Sequence, residues 1–250
     1  MVRSVEADPG SLLLQQQYTY RRRQIFRELD GHGTVKNTED KLWDVLSLGG
    51  KEYQRLLEEK GKPLPPDKEQ REQKKLDKEA AEASRLTPQK RAEREQENRK
   101  EREHDREELR RIPDAFDFTL RGVSVIDGRE NWIIGCEPRQ SYKGKYDNFL
   151  KHVRGVLYID KQDYFWAKIE CEVLDDVSIG LFLAKLTKGS RITVEETRIN
   201  NEVWLPRRVR IRAGARLLVK HFNIEEEDTF SDYRKYSTDS RVLETSEDGH

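Results

Sequence analysis

Tyr164-Phe165-Trp166-Ala167-Lys168-Ile169-Glu170-Cys171-Glu172-Val173 decides the fold. Phe165, Ala167, Ile169, Cys171 and Val173 alternate with Lys168, Glu170 and Glu172. Successive side chains of a strand point to opposite faces, so this spacing predicts a strand apolar on one side and charged on the other. A strand of a parallel sheet would be apolar on both sides, which leaves the antiparallel kind.

The same reading extends in both directions. Residues 192–198 and 204–213 form a predicted hairpin across Asn200-Asn201, and in its second arm Val209 and Ile211 alternate with Arg208, Arg210 and Arg212. Residues 217–224 and 230–236 are read as two further strands. Upstream lie residues 155–160 and a hairpin of 118–126 with 132–137 around Asp127-Gly128-Arg129-Glu130. The N-terminal part supplies strands at 12–29, 35–48 and 52–57, separated by Asp30-Gly31-His32-Gly33 and Gly49-Gly50. Such strands in meander order predict a mainly β (α+β) fold, a curved antiparallel sheet or unclosed barrel.

Apolar content of 34% against 38% charge would by itself suggest partial disorder. The charge is concentrated, however: residues 67–111 hold 15 Lys/Arg and 14 Asp/Glu. Residues 67–84 and 88–111 lack internal Gly or Pro and are rich in Glu, Lys, Arg, Gln and Ala, so two helices are predicted. Pro88 suits a first helical position with Thr87 as its cap. Leu76, Leu86 and Leu109 are their main apolar side chains, so these helices cannot build a core of their own. The domain reading is one β domain over 12–237, a charged helical insertion at 67–111 between the third and fourth strands, and a disordered tail at 238–250.

Several function classes recede on these grounds. Net charge is zero, without the basic excess usual for nucleic-acid binding. The longest apolar run, residues 177–186, falls short of the roughly 20 residues that a membrane-spanning helix needs. Cys136 and Cys171 form no CxxC, and the five histidines are scattered, so no metal or other cofactor is expected. With no HExxH, GxSxG or GxxxxGK[ST], no catalytic residue is assigned and the chain is read as a non-enzyme. The Cys pair permits one disulfide without demanding it, but a meander would put one strand between them and leave both as thiols.

Gly155-Val156-Leu157-Tyr158-Ile159-Asp160 followed by Tyr164 to Glu170, then Trp204-Leu205-Pro206-Arg207-Arg208 and Phe230-Ser231-Asp232-Tyr233-Arg234-Lys235-Tyr236, resembles the bacterial outer-membrane lipoprotein-sorting (LolA/LolB-like) superfamily. The likeness runs through residues 115–237 and more loosely through 12–60. It implies an unclosed antiparallel barrel whose concave face holds acyl chains. It also implies a periplasmic protein whose signal peptide is missing from this sequence.

Under that reading Phe165, Ile169, Ile179, Leu181, Phe182, Leu183 and Trp132 are the candidate cavity residues, and the ligand is a lipid acyl chain or a lipidated protein. The segment 177–186 is either a plug in the sheet or a lip at the cavity mouth that touches ligand or membrane. The arginines 208, 210 and 212 either form an anion-binding stripe or are neutralised across strands, with Glu170 and Glu172 as the carboxylates at hand. Trp43, Trp132, Trp166 and Trp204 fit core or cavity equally. The competing function is an envelope scaffold that contacts another protein through the charged helices.

Overall fold

A computed structural model of the chain describes residues 2–6, 17–144, 147–179, 184–217 and 220–235. The expected tail at 238–250 and the start of the first strand at 12–16 lie outside the described residues. In chain order the strands are β1 (Tyr18–Leu29), β2 (Val35–Leu48), β3 (Lys51–Glu59), β4 (Lys62–Pro63), β5 (Phe116–Ile126), β6 (Arg129–Pro138), β7 (Val153–Asp160), β8 (Trp166–Val173), β9 (Val177–Ile179), β10 (Ala184–Leu186), β11 (Arg191–Ile199), β12 (Val203–Leu217) and β13 (Lys220–Lys235). The helices are α1 (Val2–Glu6), α2 (Pro66–Ser84), α3 (Pro88–Leu109), α4 (Ile112–Ala115) and α5 (Asp147–Leu150).

Eleven strands join in the order β4-β3-β2-β1-β13-β12-β11-β8-β7-β6-β5, while β9 and β10 form a small flap on the end of β12. Every pairing is antiparallel. The order has two ends, β4 and β5, so the sheet does not close. The expected architecture is the one observed.

Two features depart from the meander. The first strand pairs with the last, β1 with β13. The charged stretch therefore joins β4 to β5, the two ends of the strand order, rather than bridging neighbouring strands. Residues 225–228, Glu-Glu-Glu-Asp, also do not break the sheet: β13 runs through them without interruption. Acidic residues are poor strand formers alone. Here they lie between Arg210 and Arg212 on β12 and Arg27 on β1, with Arg22 of β1 one step along the face of Asp228. Ion pairs Arg22–Asp228 at 2.9 Å and Arg212–Glu225 at 3.2 Å stitch the three strands.

The helical stretch is built as composition suggests. No residue of α2 is buried. Thr87 Oγ1 accepts from Lys90 N at 3.3 Å, which makes it the cap expected for α3. Polar contacts tie the pair to the sheet, among them the Lys68–Glu59 ion pair of α2 with β3 at 2.5 Å. Arg94 and Asn98 of α3 donate to the carbonyls of Gly49 and Gly50 in the β2–β3 turn, at 3.1 and 2.8 Å. The Leu56 amide of β3 donates to Glu72 of α2 at 3.4 Å. A free strand edge offers unpaired amides to any passing chain, and α2 covers this one.

Apolar packing gathers in three places. Ala115, Phe116, Cys136, Leu157 and Ile159 form the largest buried cluster, topped by Ile112, Tyr142, Leu150 and Trp166. Tyr18, Val203 and Leu205 form a second, and Val153, Val173 and Val177 a third.

Candidate functional site

Directly opposed residues of an antiparallel pair share a face, so the register traces each face of the sheet. One row crosses ten strands: Leu120, Ile134, Leu157, Ile169, Val194, Val209, Asp228, Gln24, Lys41 and Glu59. It is apolar from β5 to β12 and polar from β13 to β3. The next row on this face, Phe118, Cys136, Gly155, Cys171, Ile192, Ile211 and Glu226, turns acidic at the same strand, although Phe26 follows on β1 before Glu39 on β2. Apolar Ile169, Ile192, Val194, Val209 and Ile211 are partly buried. The described helices pack against β2, β3, β5, β7 and β9, α1 meets β8 where the Trp166 indole donates to Ser4 at 3.0 Å, and none makes more than passing contact with β11 or β12.

The opposite face carries charge. Arg154, Glu172, Arg191, Arg212, Glu225 and Arg27 follow one another across six strands. Glu172 pairs with Arg154 at 2.7 Å and Arg191 at 3.2 Å, and these two guanidinium groups hold its carboxyl below the usual range. Arg210 and Arg212 bind Glu195 at 3.0 Å and Glu225 at 3.2 Å. Cross-strand carboxylates thus pair two of the three arginines of the stripe, Arg210 and Arg212, and they are Glu195 and Glu225 instead of Glu170 and Glu172. A groove of about 620 Å³ on this face is lined by Arg121, Glu137, Arg154, Glu170, Glu172 and Arg191 among others. Most of its charges face partners of their own.

Trp132 sits opposite Ile159 and shares the apolar face with Ile169. Phe165 is a correction. It precedes β8, and its ring stacks on Trp204 at 5.2 Å with a 9° tilt. The strict alternation also fails at Ala167, because Tyr158 faces Lys168 whereas Ile159 faces Trp166. Ala167 is the extra residue of a β-bulge, and a bulge shifts the faces by one. Ile179 ends β9, two residues after buried Val177. Leu181, Phe182 and Leu183 lie outside the described residues.

Sequence reasoning missed the polar end of the apolar face. Arg22, Gln24, Glu226 and Asp228 meet there, with Arg22 bound to Asp228 at 2.9 Å and Gln24 bound to Glu226. Arg22 also lies over the Trp43 ring at 5.7 Å. Glu196 was missed as well. It faces Pro206 at a second bulge, its Oε2 is buried without a hydrogen-bond partner, and burial pushes its carboxyl up to about 8. By strand alternation Glu196 falls on the face of Val194, a signal the sequence did offer, while the extra residue of this bulge is Arg207 on β12.

Chemical groups for catalysis are sparse here. Among the described residues no three His, Cys, Asp or Glu side chains gather to hold a metal. His152 and Asp175 approach to 3.5 Å at the surface, 39% and 64% exposed. Cys136 and Cys171 flank Gly155 from the strands on either side, and both are free thiols. Burial raises both, Cys136 to about 12, which keeps them protonated and unreactive.

No protein-family model matches the chain. No curated protein matches it in sequence. Solved structures similar to it include an outer-membrane lipoprotein-sorting protein domain from Vibrio parahaemolyticus, with a TM-score of 0.35 and 10% identity over 96% of this chain and 92% of that one. A DUF1329 family protein from Desulfovibrio piger has a TM-score of 0.31 and 12% identity, covering 96% and 91%. A LolA superfamily protein from Nitrosomonas europaea has a TM-score of 0.30 and 11% identity, covering 90% and 92%.

Proposed function

We propose that the apolar face is a binding surface for the acyl chain of a lipid or a lipidated protein, in a periplasmic carrier that performs no covalent chemistry. The observation that carries this reading is the two-toned register row. Its apolar half runs from Ile169, which packs on the cluster beneath the helices, to Val194 and Val209 with Ile192 and Ile211 beside them, which are partly buried and have no more than passing contact with the described helices. Burial of an acyl chain contributes about 0.8 kcal/mol per methylene and needs no fixed hydrogen-bond geometry. A single row of valines and isoleucines is sufficient for that. The polar half, with Arg22, Gln24, Glu226 and Lys41, lies where the head of an amphiphile stretched across the strands would come to rest. The periplasmic setting belongs to the same proposal and rests on the sequence likeness in residues 115–237.

The experiment is native mass spectrometry of protein purified without detergent. A bound species of lipid mass, removable by organic extraction, supports the reading. A bare chain that also fails to take up added lipid contradicts it.

A further inference from the structure

The two edges of the sheet are treated differently. α2 covers β3, and Glu72 accepts from the Leu56 amide. β5 ends the strand order at the other side, and Leu120, Val123 and Val125 on it are 63%, 48% and 66% exposed. These are three of the five most exposed large apolar side chains among the described residues, within six positions of one strand. A long apolar edge strand is a template for pairing with another chain.

The register says which chain fits. Leu120 faces Ile134, but Gly122 faces Ile133 and Val123 faces Trp132, so Arg121 is an extra residue. Its side chain lies against Gly135 and reaches Glu137 at 3.5 Å, on the charged face. The bulge therefore makes the strand palindromic. Reading outward from the 121–122 bond, Leu120 and Val123 share the apolar face, Thr119 and Ser124 share the charged face, and Phe118 and Val125 share the apolar face again. An unbulged strand has no such centre between two residues, since strict alternation would put them on opposite faces.

We propose that β5 pairs antiparallel with β5 of a second copy of this chain, about a two-fold axis at the 121–122 bond. Leu120 then lies opposite the partner's Val123, Phe118 opposite the partner's Val125, and Thr119 opposite the partner's Ser124. Arg121 faces the partner's Gly122, where no side chain opposes it. This register keeps like faces together along the whole strand, as an isologous contact requires. It covers the three exposed side chains and continues the apolar face from one copy into the next.

Sedimentation across a concentration series tests the proposal. Wild type should show a monomer–dimer equilibrium, and Leu120→Lys and Val125→Lys should both shift it to monomer. Both positions are exposed, and circular dichroism confirms that the variants fold. Register is read by cross-linking. Thr119→Cys with Ser124→Cys in one chain should oxidise to a covalent dimer, because directly opposed Cβ atoms lie roughly 5 Å apart. Thr119→Cys alone should not, because its symmetry mate is then several residues away. A wild type that stays monomeric throughout overturns the proposal, as does a dimer indifferent to both lysine substitutions. Equal cross-linking by Thr119→Cys alone overturns the register.

Discussion

Arg129 holds Asp160 in a two-pronged grip, Nε to Oδ2 and Nη2 to Oδ1, each at 2.7 Å. Asp160 is fully buried and also accepts from the amides of Gln162 and Asp163 at 2.9 and 2.7 Å. Arg129 reaches Asp163 at 3.0 Å and lies over Trp204, whose indole N–H donates to Asp163. One ion pair thereby fixes the β7–β8 turn, the start of β6 and the stacked pair Phe165–Trp204.

Removing one partner from a buried pair leaves the other charge uncompensated, at a cost of about 3–5 kcal/mol. Arg129→Ala should lose stability of that order in urea unfolding at pH 7. Burial alone would raise the Asp160 carboxyl, but the guanidinium and the two amides outweigh it and leave it below its ordinary 3.8. Its contribution is therefore present above pH 3.8 and is lost as pH falls through the lower folded value. The gap between wild type and Arg129→Ala should narrow below pH 4, and a gap that widens there would refute the assignment.

Glu196 has the opposite sign. Its folded-state carboxyl titrates near 8 against 4.5 ordinarily, so the folded state prefers the proton. The group costs nothing below pH 4.5, and its penalty grows from there to about pH 8, reaching a few kcal/mol, on the order of 1.4 per unit. Glu196→Gln should melt with wild type at pH 4.5 and above it at pH 8.5. Equal melting temperatures at both values would show that Glu196 is not buried in solution.

The fold was legible wherever burial set the pattern. Ile169 and Val209 announced their faces through alternation, and they do lie in one row with Val194 between them. Prediction failed where partners were distant in sequence. Residues 225–228 look like a loop until the arginines of β1 and β12 are placed beside them, and no local pattern announces the β1–β13 pairing. A bulge at Ala167 hid the place of Phe165, whereas Glu196 shares the face of Val194 by plain alternation and was passed over because it is charged.

Gly49 tests the anchoring of the helical stretch. It sits at φ +56°, and a Cβ there would come within 2.7 Å of Leu86 Cδ1 and 3.2 Å of Ala83 Cβ. Left-handed backbone alone costs a non-glycine residue about 1–2 kcal/mol. Gly49→Ala should lower the thermal midpoint and speed proteolysis within residues 67–111. An unchanged cleavage pattern would mean that the helices are held by something other than this turn.

The helical stretch buries little, yet it joins the two ends of the strand order. Eleven strands at about 4.8 Å spacing measure roughly 48 Å laid flat, less when the sheet curls. A six-residue linker reaches about 20 Å. Replacing residues 67–111 by six Gly/Ser residues should abolish cooperative unfolding, whereas a linker of about 40 residues should preserve it. Cooperative melting of the short version would show that β4 and β5 lie close together.

Val194 lies in the middle of the proposed acyl-chain surface. It stands directly between Ile169 and Val209 in the apolar row, and a carboxylate placed there would be desolvated by any chain that covered it. The deciding measurement is a titration of delipidated wild type and a folded Val194→Asp variant with a fluorescent long-chain fatty acid. Wild type should bind saturably, and the variant with at least tenfold weaker affinity. Equal affinity of the two proteins, or no saturable binding by wild type, would contradict acyl-chain binding on this surface.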